Sequence, residues 1–358
     1  PETGETPAPE APRAKPVTER ALELLEKARR LSAETKPLAE RKTTLLGQTA
    51  NPAFWDDRRA YRAVQDEIYR LDGILGQVEA LEKKVMAEAE VAQRHRHSER
   101  DLQRVDQHLD GLASQIEHLS FLAQCRDAPA LGDALVSLRL VQRQGGDLDA
   151  LGRLAQLYIK MGQRRGLEVQ VISDRHGDGP REDAITLLCS GAGAYALLAG
   201  EGGLHQFSRG RRLKGREALE REIVSVEVLP VPAGDWPTDA KELATEVRPL
   251  SGRRGRLLPR VNQEVRLFHA ASNLSVRAWC DGGKNEAIER TRLILHARLE
   301  AQRRGEPEGE TRTVVRRYRL GPTTLVRDFR TGKSTGRLDL VLDGHIDGFL
   351  GRGEGERA

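Results

Sequence analysis

Between Val64 and Leu122 apolar side chains recur at helical spacing, and nothing else in the chain constrains the fold as much. Val64, Ile68, Leu71, Leu75, Val78, Leu81 and Val85 step by three and four residues, and Leu102, Val105, Leu109, Leu112, Ile116, Leu119 and Leu122 do the same. On an α-helix such positions fall on one face as a stripe. Two stripes of this length predict two helices lying antiparallel along a shared apolar seam, which serves as a core. Ser98, with Asp101 three residues later, marks the start of the second helix. The whole stretch from Val17 to about Cys125 reads as helical.

After Cys125 the pattern changes to mixed α and β. Ala134 to Val141, Leu167 to Ser173, Ala184 to Leu188 and Ile223 to Val231 read as strands, and Leu148 to Gly166 as a helix with Leu151, Leu154, Leu157 and Ile159 on its apolar side. A Pro/Gly/Asp break from Pro230 to Asp239 opens a third unit. There Glu264 to His269 and Leu274 to Trp279 flank Ala270 to Asn273 as a hairpin, followed by a helix over Lys284 to Arg303. Arg304 to Thr311 reads as a Gly/Glu/Pro linker, and the last fifty or so residues return to strands and turns.

Composition narrows the function classes. The chain has 358 residues, 38% hydrophobic and 31% charged, the balance of a soluble globular protein. No apolar run is long enough for a membrane span. The first sixteen residues carry five prolines and no apolar core, so they are expected to be a solvated tail, not a signal peptide, with Pro1 a processed start. Cys125, Cys189 and Cys280 form no CxxC pair, and buried free thiols in a reducing cytoplasm are expected, with no metal and no cofactor. His95 and His97 sit in too polar a setting for a tuned base. Gly191, Gly193, Gly200, Gly202 and Gly203 lack the Lys-Ser/Thr of a phosphate-binding loop and the spacing of a dinucleotide fingerprint. No catalytic constellation is found.

Charge is distributed unevenly. The net charge is +4, with 47 arginines to 11 lysines. Arg209, Arg211, Arg212, Lys214 and Arg216 place five cations in eight residues, with Gly210 and Gly215 expected to keep that loop flexible. Arg248, Arg253, Arg254, Arg256, Arg260 and Arg266 form a second cluster around Ser251-Gly-Arg-Arg-Gly-Arg256, opposed nearby by Glu246 and Glu264. A guanidinium carries five donors and is hard to bury without acceptors, so this glycine-spaced loop is expected to face water or an anion. Of these residues, Arg209, Arg211, Arg212, Lys214, Arg216, Arg253, Arg254, Gly255, Arg256 and Arg260 are the candidate RNA-binding set.

Several segments, in order, resemble the class I bacterial peptide chain release factor family, in its release factor 2 branch. They are Asn51-Pro-Ala-Phe-Trp-Asp-Asp57, Gly145-Gly146 with its following helix, Ser190-Gly191 to Tyr195 with Gly203-Leu204-His205, Arg317-Tyr318, Asp328-Phe-Arg-Thr-Gly332, and Leu342-Asp-Gly344 with Phe349. The resemblance spans about 45–351 and implies an α+β, multidomain, release-factor-like architecture. Its parts are a tail over 1–17, a helical N-terminal domain over 18–126, a mixed α/β central domain over 127–240 completed by 310–358, and an inserted hairpin-helix domain over 241–309.

The departures from the family fall where its function resides. An ungapped count places Arg254-Gly255-Arg256 on the family's glycine-glycine-glutamine tripeptide and Arg211-Arg212-Leu213 on its Ser-Pro-Phe decoding loop. Gly145-Gly-Asp-Leu-Asp149 alters a Gly-Gly-Thr-Glu-Ala block. The resemblance therefore implies a cytoplasmic, monomeric translation protein that binds the ribosome, near the A site, without releasing peptide, in rescue, protection or regulation. Its partners are rRNA with mRNA or tRNA, and no membrane. Two alternatives stay open: an RNA-binding protein acting on transcripts, and an active codon-specific release factor with a variant loop.

Overall fold

The computed structural model describes residues 16–56, 58–93, 99–125, 127–177, 183–213, 216–234, 242–305 and 313–350. Ser98, Arg94, His95, His97, Lys214 and Gly215 lie outside the described residues, as do most of the tail and parts of the 230–239 break and the 304–311 linker. The chain forms two compact units, 1–55 with 67–126, and 56–66 with 127–358. No described helix is long and apolar enough to cross a membrane.

Among the described residues the helical region contains four α-helices: α1 (Val17–Glu34), α2 (Lys36–Thr49), α3 (Arg58–Gln93) and α4 (Glu99–Gln124). Of the stripes predicted for the two longest, Leu71, Val78, Leu81 and Val85 and Val105, Leu109, Leu112, Ile116, Leu119 and Leu122 are buried. Val64, Ile68 and Leu75 are only partly buried, and Ile74 takes the core position beside Leu75. The two helices do not pack as an isolated pair. Helix α1 buries Ala21, Leu24, Ala28 and Leu31, and its Arg20 is bonded to both Asp106 and Asp110 of α4. A three- and four-residue stripe shows which face is buried, but not how many helices bury it.

The second unit is built on an eight-stranded sheet in the order β11-β10-β9-β4-β5-β1-β3-β2. Its strands are β1 (Ala134–Gln144), β2 (Glu168–Arg175), β3 (Ala184–Ser190), β4 (Gly203–Leu213), β5 (Arg216–Pro230), β9 (Val314–Leu320), β10 (Leu325–Asp328) and β11 (Ser334–Thr335). Neighbours are antiparallel except β4 and β9, which run parallel. Helix α5 (Ala150–Arg165) buries Leu151, Leu154, Leu157 and Tyr158. Short helices α6 (Ala194–Leu198) and α8 (Leu338–Leu342) complete this part.

A three-stranded sheet, β6 (Leu243–Arg253), β7 (Val261–His269) and β8 (Leu274–Cys280), carries α7 (Lys284–Arg303). It shares a core with the large sheet: Leu135, Ile172 and Leu229 cluster with Val265, Leu267, Val276, Ile294 and Leu295. The Trp279 N–H donates to Ser173 Oγ at 3.0 Å and the Cys280 thiol to the Ile172 carbonyl at 3.2 Å. All three cysteines are buried and free.

Two corrections concern the basic segments. Arg209 to Leu213 is not a flexible loop but the end of β4, paired residue for residue with β5 as far as Leu213 opposite Arg216. Gly210, expected to loosen this stretch, sits in the ladder opposite Leu219. Glycine lowers strand propensity, yet β5 pairs with β4 along its whole length and β9 pairs with it as far as Arg209, and this tertiary pairing outweighs local preference. Likewise Arg248 and Arg253 belong to β6, a strand the sequence did not reveal.

Candidate nucleic-acid interface

The two basic segments occupy different settings. In the β4–β5 hairpin, Arg209 donates through Nε and Nη2 to Glu220 Oε2, both at 2.7 Å, so its charge is answered within the fold. Arg211, Arg212 and Arg216 follow on the paired strands.

The 253–260 segment is anchored, which corrects the expectation that this loop faces water or an anion: part of it is docked on the fold. The Leu257 and Leu258 N–H groups donate to Asp174 Oδ2 at 2.6 and 2.8 Å, and the Gly255 N–H donates to the Leu258 carbonyl at 3.0 Å. A Cβ on Gly255 would lie 2.3 Å from that Asp174 oxygen, so this close approach requires glycine. The Arg256 side chain is only 16% exposed and donates to Asp149 and, at 3.2 Å, to Asp183. Burial pulls its pKa down, but the Asp149 bond and the nearby carboxylates raise it overall, so it stays charged. The expectation failed because it counted carboxylates near in sequence, whereas these acceptors arrive from β2 and from the segments preceding α5 and β3.

Asp149 and Asp183 sit in a wider ionic cluster. Arg143 donates to Glu222 at 2.6 Å and lies 3.7 Å from both Asp147 and Asp183. Glu222 also accepts from the Ala150 N–H at 2.8 Å, at the start of α5. Asp149 has left-handed backbone angles, with φ 51°, which turns the chain into that helix. The Gly145–Asp149 block and the Arg254–Arg256 tripeptide are therefore in contact.

The remaining cations of the second cluster stay at the surface. Arg254 and Arg260 are exposed and, among the described residues, without an ion pair. The Arg253 guanidinium lies 5.1 Å from the centre of the Trp279 ring.

A second ionic cluster has a buried centre, closed on one side by the partly exposed Arg330. Arg316, Glu201, Asp328 and His205 are all fully buried. Arg316 Nη2 is 2.8 Å from both Glu201 and Asp328, and Arg330 reaches the same two carboxylates at 2.6 and 2.9 Å. Burial pushes the Glu201 pKa up, but Arg316, His205 and Arg330 pull it down to about 2. Burial lowers His205 to about 4, against the pull of Glu201. Neutral His205 then donates from Nε2 to the Glu201 carbonyl at 3.0 Å and accepts at Nδ1 from Tyr318 at 3.2 Å. His205, Tyr318, Asp328 and Arg330, singled out within motifs, thus hold the sheet together. Glu201 and Arg316 belong with them and carried no motif signal of their own.

A PCRF domain model matches residues 38–213. Peptide chain release factor 2 of Kineococcus radiotolerans is 26% identical over 350 residues, covering 90% of this chain and 91% of that protein. Peptide chain release factor 2 of Thermotoga maritima is 25% identical over 317 residues, covering 84% and 85%. Among solved structures, RF2 of Thermus thermophilus matches with a TM-score of 0.57 at 23% identity, over 90% of this chain and 97% of that one, and so shares its fold.

Proposed function

The chain belongs to the class I peptide chain release factor family, and from that premise we propose that it binds the ribosome near the A site without catalysing peptide release. It acts there as a cytoplasmic monomer, in ribosome rescue, protection or regulation. The observation that carries this reading is the state of Arg256. The ungapped count puts it where the family has its glutamine, and its guanidinium is committed to Asp149 and Asp183. Peptide release in this family needs water and a backbone N–H held against a developing oxyanion at a crowded ester. Adjacent glycines give the close approach, and Arg254 replaces the first of them. Loss of one oxyanion donor slows such chemistry by about 10²–10³.

Two measurements test the proposal. Full-length protein mixed with ribosomes carrying peptidyl-tRNA should leave the ester intact at every stop codon, and release at the rate of a working factor overturns it. In a sucrose gradient the protein should migrate with ribosomes or subunits. Migration with free messenger RNA instead would favour a role on transcripts.

A further inference from the structure

The outer face of the β4–β9–β10 part of the sheet carries an arrangement that the basic hairpin and loop do not account for. Arg317, Arg319 and Arg327 are exposed there, and none has an ion pair among the described residues. The strand register explains why. Opposite Arg317 stand Gln206 and Arg327, opposite Arg319 stand Ser208 and Leu325, and opposite Arg327 stands Ser334. No carboxylate occupies any of these positions. One strand further, Ser208 faces Arg221.

Two like charges directly opposite each other, as Arg317 and Arg327 are, destabilise a sheet. Phe329 offsets part of this. Its ring centre is 4.8 Å from the Arg317 guanidinium and 5.3 Å from that of Arg327, and the ring is itself 41% exposed. Gln206 fixes Arg317 further by accepting from its Nε at 3.1 Å. The result is an open sheet face with an aromatic ring and flat guanidinium planes held in place, surrounded by arginines that have no ion pair among the described residues.

We propose that this face binds single-stranded RNA. Unpaired bases stack on aromatic rings and on arginine planes, while phosphates meet the remaining guanidiniums. A duplex keeps its bases stacked on one another and has none to offer. An acidic protein segment would satisfy the charge but leave Phe329 and the planes unused. The proposal concerns a surface separate from the hairpin and the 253–260 loop, and it does not depend on the ribosome reading.

The test uses the full-length chain and a fluorescein-labelled oligouridylate of about twelve nucleotides, within the usual range of such a module. Fluorescence anisotropy should show tighter binding to this strand than to a duplex of equal length. Phe329→Ala should weaken binding about tenfold with an unchanged salt slope, because a stacked base is lost and no charge is. Arg319→Ala should weaken binding and lower the slope by about 0.7, one phosphate contact on a single strand. Arg29→Ala, an exposed arginine of α1, should do neither. Equal affinity for duplex, full competition by poly-glutamate, or an unaffected Phe329→Ala variant would each overturn the proposal.

A readout that needs no variant is crosslinking of 4-thiouridine RNA to the unaltered protein. The crosslinked peptides should lie within 314–330, and crosslinks confined to other segments would also overturn it. Triple replacement of Arg253, Arg254 and Arg260 by alanine should leave the 314–330 crosslink in place. Failure of ribosome binding and failure of this site are therefore told apart.

Discussion

The Arg256 guanidinium stands 3.2 Å from the carboxylate of Asp183, two residues 73 positions apart in the chain. Together with the bond to Asp149 and the two amides held by Asp174, this fixes the segment that the ungapped count sets against the family's catalytic tripeptide. The segment has the polar contacts of a structural element: the Arg256 charge is paired, and the Gly255, Leu257 and Leu258 amides have acceptors.

Arg256→Gln should therefore lower stability by about 2 kcal/mol, since it leaves Asp183, itself buried, short of a partner in a largely shielded site. The amides of Leu257 and Leu258 should exchange faster with solvent as the docking weakens. Arg254→Gln should change stability by no more than about 0.5 kcal/mol, as an exposed side chain does. Urea unfolding with amide exchange separates the two variants, and equal effects would show that the Asp149 and Asp183 contacts contribute nothing.

A second expectation concerns acid. The unfolded chain takes up a proton at His205 near the usual pH 6.5, while the native state holds that pKa at about 4. The native state thus binds fewer protons through this window. The contribution of His205 is complete above pH 6.5 and is lost as the pH falls from 6.5 through 4. Glu201 behaves alike at lower pH, with its share complete above 4.5 and lost between 4.5 and 2. Thermal melting should be flat above about pH 7 and decline below 6.5, by about 3 kcal/mol over the histidine window. His205→Gln should flatten that upper limb alone. An unchanged limb would mean that another group titrates there.

The same buried cluster predicts an asymmetry at Arg316. Replacing it with leucine strands Glu201 and Asp328, which have Arg330 as their remaining cationic partner. Removing one member of a buried ion cluster typically destabilises by about 3–5 kcal/mol. Arg316→Lys should not restore stability, because one ammonium cannot reproduce a planar fork that serves both carboxylates and the Tyr318 hydroxyl. Urea midpoints for the two variants check this, and wild-type stability in the lysine protein would refute the geometric argument.

What could be read from the sequence follows from the range of the forces involved. The stripes of α3 and α4, the hairpin of β7 and β8 and the helix over Lys284–Arg303 are set by periodicity within one element, and each was visible there. β4 and β6 were not, because their glycines, arginines and prolines argue against strand. Both are fixed by neighbours, and β9 lies more than a hundred residues beyond β4. The arginine cluster was legible as a set of charges, but not as paired and unpaired members. That division depends on Asp149, Asp174 and Asp183, which only folding brings near. The Arg317, Phe329 and Arg327 grouping escaped for the same reason: Arg317 and Arg327 become neighbours through the β9–β10 register.

That division sharpens the last prediction. If the 253–260 segment anchors the protein on ribosomal RNA, the work falls to its exposed cations, and to Arg254 and Arg260 before Arg253, whose guanidinium lies over the Trp279 ring. Arg256 is already neutralised by Asp149 and Asp183. Each phosphate contact adds about one unit to the slope of log affinity against log salt. Joint replacement of Arg254 and Arg260 by alanine should weaken ribosome binding and lower that slope by about two units, with the fold intact. Arg256→Ala should leave the slope nearly unchanged while lowering stability. A charge-matched control, Arg29→Ala with Arg30→Ala on α1, should change neither. Equal losses from the control would mean that net charge alone governs binding, and the anchor would have to be abandoned. A slope lowered by Arg256→Ala would mean that its guanidinium leaves the two carboxylates for RNA, so that the contact seen here opens on binding.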